Sequence, residues 1–153
     1  MMKQLETQWE RLDHIMIAFM TAHGTRLLRV ALAVTFIWFG ALKVLGRSPV
    51  ADLVAQTVYW LPPAFFVRFL GWWELVIGVG LLSGGALRLI LLLFWLQMAG
   101  TFLSLIILPG RAFQDGNPLL LAVTGEFVIK NLVLIAAGLV IGSTVRRRAL
   151  PKN

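Results

Sequence analysis

The sequence has no cysteine. That excludes disulfides, thiolate nucleophiles, cysteine-held metals and iron–sulfur clusters, and it leaves the redox compartment open. Charge is scarce too. Asp, Glu, Lys and Arg make up 14% of the 153 residues, against about 25% in ordinary soluble domains. With 59% hydrophobic residues and a mean hydropathy of +0.84, too few charges remain to cover a water-facing surface. A soluble globule is excluded, and so is a disordered or fibrous chain. There are two histidines, His14 and His23, with no Cys and no further His to join them, so a haem or metal site is not expected. The balance of charge is basic, with 14 Lys and Arg against 7 Asp and Glu. In so apolar a chain this excess marks membrane edges on the cytoplasmic side, and a nucleic-acid partner is rejected.

What is abundant is uncharged sequence. Residues 89–110 run for 22 residues without a charge, which at about 1.5 Å per residue crosses a hydrocarbon core of roughly 30 Å. Residues 30–42, 75–87 and 131–145 are shorter uncharged runs, so each span must extend past an ionisable group. The sequence therefore predicts an all-α integral membrane four-helix bundle with spans at about 26–45, 69–87, 89–109 and 126–145. Three of these spans take in charge: Lys43 in the first, Glu74 in the second, and Glu126 with Lys130 in the fourth.

Lys and Arg divide nine to five between the two sides, the nine including Arg146, Arg147, Arg148 and Lys152. The expectation is a multi-pass protein of the cell's inner (plasma) membrane, with both termini, including a basic tail at 146–153, in the cytoplasm. Residues 1–25 do not resemble a cleavable signal, because Glu6, Glu10 and Asp13 interrupt them. Leu5, Trp9, Leu12, Met16 and Phe19 fall at helical spacing opposite a polar face. Two readings stand for this segment: an amphipathic helix lying on the inner membrane face, or a helix packed on a neighbouring subunit.

Between the first two spans, Ser48-Pro49 reads as a helix start and Pro62-Pro63 as its stop. The apolar face between them, from Val50 to Leu61, predicts an interfacial helix. Turn signals at Pro109-Gly110, Asp115-Gly116 and Asn117-Pro118 mark a second long connection. Residues 118–125 fit either a re-entrant piece or the start of the fourth helix. Gly71, Gly78 and Gly85 form a narrow face beside Glu74, suited to close helix packing.

The predicted topology brings the intramembrane charges to one depth, with Gln97, Thr101 and Ser104 on one side of the third helix. Lys43 and Glu74 are natural partners across helices, and Glu126 and Lys130 are an i,i+4 pair. A charge at the membrane centre costs at least about 2.5–3.5 kcal/mol, so such groups mark a functional site by default. The candidate ligand-binding set is Trp38, Lys43, Glu74, Gln97, Thr101, Glu126, Lys130 and Asn131. The competing reading is structural, with ion pairs that fix helix register or lysines that reach to the interface.

These same stretches carry a resemblance. Residues 29–43 (RVALAVTFIWFGALK) resemble the first helix of DoxX-like membrane proteins, and are nearest to the YkgB-type branch. Gly71-Trp-Trp-Glu74 through Gly78 is similar to that family's second helix. Thr101 to Ser104, followed by Pro109, resembles the third, and Gly125-Glu126 through Lys130-Asn131 the start of the fourth. The resemblance implies a four-helix inner-membrane protein. It also implies, from some relatives, a link to quinone-coupled oxidation of sulfur compounds or to redox stress. The functional expectation is a redox-associated membrane subunit binding a quinone or another small ligand, an oxidoreductase subunit if it is an enzyme. A scaffold or assembly and stress-response factor is the alternative, and a small transporter is disfavoured because the inner half carries no polar groups. The expected partners are membrane lipid and a partner redox subunit, and a homodimer is compatible with so small a bundle.

Overall fold

The computed structural model describes the backbone of residues 2–145, and side-chain surroundings from residue 9 onward. The basic cluster at 146–148 and Lys152 lie outside the described residues. The fold is a bundle of helices, and no strand occurs among the described residues. Phe113 and Leu121 make an isolated antiparallel bridge within a loop. Four helical stretches are long and apolar enough to span a membrane: Trp9–Val44, Pro63–Ser83, Leu87–Ile107 and Val123–Ser143.

Helix α1 runs from Met2 to Val44 without a break, 43 residues. The segment at 1–25 is thus continuous with the first span where it is described. No Pro lies within it, and the single glycine, Gly24, costs a helix only about 1 kcal/mol. Every described side chain from Trp9 to His23 is exposed.

Helix α2 is Ala51–Thr57, shorter at both ends than its proline borders suggested. Ser48 does not cap it: the N-cap is Val50, with no side-chain hydrogen bond. Pro62 and Pro63 act as a start signal for the next helix. Helix α3, Pro63–Ser83, places Pro63 at its first position, where a missing N–H costs nothing. It therefore begins six residues before the expected 69. It ends where Gly84 takes a left-handed φ of 66°, a C-cap that glycine accepts without steric cost. The turn at 84–86 leads directly into α4, Leu87–Ile107.

The second long connection holds a one-turn α5, Pro109–Ala112, and a 3₁₀ turn at Gln114–Gly116. The fourth span is two helices, α6 (Val123–Ile129) and α7 (Asn131–Ser143). Asn131 accounts for the break. Its side-chain amide donates to the carbonyls of Phe127 (3.0 Å) and Val128 (3.1 Å), groups that an unbroken helix would offer to backbone N–H donors. Residues 123–125 belong to this fourth stretch, and 118–122 are loop.

The core lies between α1, α3, α4 and α7, around Phe36, Ile77, Leu81, Phe94, Met98 and Ile141. Lipid is as apolar as leucine, so burial alone does not join helices in a membrane; close packing does. A Cβ on Gly78 would sit 2.6 Å from the Ile37 side chain and 2.8 Å from the Ala33 carbonyl. One on Gly71 would sit 2.8 Å from the Gly40 carbonyl. These two glycines let α1 and α3 touch backbone to backbone. Gly85 does not share that role. It is exposed in the turn beyond α3, and the nearest group to its Cβ position is Ser83 Oγ at 4.0 Å.

Candidate functional site

The close approach at Gly71 decides where Lys43 goes. A Cβ at Gly71 would meet the Cβ of Lys43 at 2.9 Å, so the lysine stem lies over bare backbone. From there the ammonium reaches the Glu74 carboxylate, one turn further along α3. Lys43 Nζ donates to both oxygens, at 2.8 Å to Oε1 and 2.7 Å to Oε2. Gln97 of α4 donates through Nε2 to Glu74 Oε1 at 2.9 Å. Three helices therefore meet on one carboxylate. The pair is almost fully enclosed, with side-chain exposures of 5% for Lys43 and 7% for Glu74. The ammonium also lies 6.0 Å from the centroid of the Phe39 ring.

A cavity of about 310 Å³ opens beside this triad. That is at the small end of the range for ligand sites, roughly 300–1,000 Å³. Its walls are mostly apolar. Phe36 and Phe39 come from α1, Phe66, Phe69 and Trp73 from α3, and Leu53, Val54 and Thr57 from α2. Helix α2 thus lines the cavity at the loop-rich end. Trp73 is held in place by its indole N–H, which donates to the Leu93 carbonyl at 3.2 Å. The polar lining is Lys43, Glu74 and Gln97, with Thr35 on α1, Thr57 on α2, Thr101 and Ser104 on α4 and Asn131 on α7. The Thr101 hydroxyl donates to the Gln97 carbonyl at 3.0 Å, and Ser104 to the Thr101 carbonyl at 2.7 Å.

Of the candidate residues, Lys43, Glu74, Gln97, Thr101 and Asn131 share this cavity, and three do not line it. Trp38 is 65% exposed. It precedes Lys43 by five residues, about 140° around the helix at 3.6 residues per turn, so it faces away. Phe39, four residues before Lys43, meets the cavity with Phe36, and the i,i+4 rule places it on the Lys43 face from sequence alone. Glu126 and Lys130 form a pair at 3.5 Å, with side-chain exposures of 56% and 76%. They are not joined to the buried pair. Among the lining residues outside the candidate set are Phe39, Phe66, Thr57 and Ser104, while Trp73, which the sequence offers with Trp38 as an aromatic to stack on a ligand, also lines the cavity. Spacing signals exist for Phe39 and for Ser104, which follows Thr101 by one turn. Thr57 had no signal beyond its place on the apolar face of α2.

Four apolar spanning stretches around a buried Lys–Glu pair define a small polytopic membrane protein with a ligand-sized cavity in its bundle. The DoxX family model matches residues 24–106, more than half of the chain, and the protein belongs to the DoxX family. That match takes in both members of the ion pair and Gln97, and stops before the fourth span. No curated protein and no solved structure matches the chain.

Proposed function

We propose that this DoxX-family protein is a redox-associated membrane subunit that holds a quinone-like ligand in the cavity beside Lys43, Glu74 and Gln97. The observation that carries this reading is an apolar, aromatic-walled cavity ending on a buried charged triad. A quinone head needs an apolar slot for its ring and polar groups at its oxygens. Phe36, Phe39, Phe66 and Trp73 supply the slot, and Lys43 and Gln97 each keep a proton beyond those given to Glu74. Glu74 is the group placed to hold or pass a proton. The chain has no cysteine and hence no thiol relay, so a partner redox subunit delivers the electrons. The protein resides in the inner membrane with both termini cytoplasmic, and within its family it sides with the YkgB type. Cysteines placed singly at Gln8 and Gln56 test the orientation. An impermeant reagent applied to intact cells should label the second and not the first, and the reverse pattern would invert the topology.

One observation favours a second reading. Glu74 already accepts three hydrogen bonds within the protein, so the triad is charge-balanced without a ligand and can serve register alone. Solvent extraction of the detergent-purified protein separates the two readings. The ligand reading expects co-purified quinone, lost in the Lys43→Met/Glu74→Gln double variant. Wild-type protein without quinone, or a double variant that retains it equally, would leave register as the role of the pair.

A further inference from the structure

The hydrogen bonds around the cavity are unevenly spent. A hydroxyl has one proton to give and two lone pairs. Thr57 gives its proton to the Leu53 carbonyl at 2.8 Å, and Thr101 and Ser104 give theirs to carbonyls of α4. Asn131 directs its amide nitrogen to two carbonyls of its own span. Each of these groups therefore meets the cavity as an oxygen with free lone pairs. The amide oxygens of Asn131 and Gln97 accept no hydrogen bond among the described residues. Glu74 adds the lone pairs its three bonds leave over. Against these acceptors stand one remaining proton on Lys43 and one on Gln97.

We infer that the cavity selects an aromatic head that carries hydroxyl donors, so that of a quinone couple it binds the reduced quinol in preference to the oxidised quinone. The inference rests on the cavity being the ligand site proposed above. A quinone presents two carbonyl acceptors to a lining that is already rich in acceptors. A quinol presents two O–H groups, and each finds an oxygen with lone pairs to spare. Turning a threonine or serine hydroxyl round to serve a quinone would exchange its bond to the helix carbonyl for one to the ligand, so the quinone gains no net hydrogen bond where the quinol gains one. The aromatic walls treat both forms alike, so the polar lining decides between them.

The test uses the full chain in detergent and a decyl-substituted benzoquinone, titrated calorimetrically as the quinone and, under argon, as its quinol. The quinol should bind about tenfold or more tightly than the quinone, one or two net hydrogen bonds' worth. Thr101→Val keeps the side-chain shape and removes the acceptor, so it should cut that preference, read as the ratio of the two dissociation constants, by about fivefold. Ser104→Ala should act in the same direction. Equal or tighter binding of the quinone overturns the preference for donors and leaves the cavity as a quinone site. Binding of neither form overturns the preference together with the ligand reading. A preference that survives undiminished in both variants, with their melting temperatures intact, removes it from these hydroxyls and overturns the assignment.

Discussion

Two lysine–glutamate pairs in this protein have the same chemistry and opposite settings. Lys43 and Glu74 come from different helices, meet at 2.7 Å and are almost fully buried at the edge of the cavity. Glu126 and Lys130 come from one helical stretch, meet at 3.5 Å and are open. The difference lies in what each carboxylate has to do. Glu74 has α1, α3 and α4 converging on it, and its hydrogen bonds all come from side chains of the bundle. Glu126 lies one turn from the start of α6, beside the loop, where water or lipid headgroups can serve either charge. Proximity in sequence made the second pair the easier one to read, yet the first has the larger structural consequence.

The comparison breaks most sharply at Glu74. Glu74→Gln leaves the Lys43 ammonium buried without its counter-charge, and the expected loss is about 3–5 kcal/mol. Adding Lys43→Met should recover most of it, and thermal unfolding in detergent reads both. Losses that simply add would show that the two residues are not coupled. Overpacking comes next. Gly78→Leu should cost about 1–3 kcal/mol or more by forcing α1 and α3 apart, and should loosen the Lys43–Glu74 contact further along the same helix pair. An unchanged melting temperature would place that glycine face against lipid.

Much of this was legible beforehand, and for definite reasons. Run length and charge gave four spans and named Lys43 and Glu74 as partners across helices. Element borders were less legible where one signal has two meanings. Pro62-Pro63 can stop a helix or start one, and here Pro63 takes the first position of α3. Gly84-Gly85 marks the end of α3, but a hydropathy reading runs past it to Leu87. The break at Lys130 arises from an asparagine side chain competing for carbonyls, which periodicity does not register. The expectation of one polar site containing all four charges failed because depth was the only coordinate available. Angle around each helix is what puts Trp38, Glu126 and Lys130 elsewhere.

Smaller effects sharpen the contrast. Asn131→Leu removes two side-chain caps at the α6–α7 junction and should cost about 1 kcal/mol, read by the same melts. A cost several times larger would make the break itself a requirement of the cavity. Glu126→Gln should cost under about 1 kcal/mol, and less still in high salt, since open ion pairs contribute little and are screened. A loss comparable to that of Glu74→Gln would mean that Glu126 is covered in the membrane by something absent from the isolated chain.

The unbroken α1 bears on how the protein finds its depth. Helix α1, at 43 residues or about 65 Å, is twice as long as α3 and α4, which at 21 residues measure about 32 Å. The length of α3 and α4 therefore matches the bilayer core, whereas α1 is far longer than the core and carries Glu10, Arg11, Asp13, Arg26 and Arg29 in its N-terminal part. Those charges hold its N-terminal part out of the hydrocarbon, and the other end needs a contact of its own. The salt bridge at that end of α1, with the bare backbone crossing beneath it, supplies that contact by pinning α1 against α3. It works as a depth gauge, fixing how far the first helix enters the bilayer and leaving the surplus to project on the opposite side.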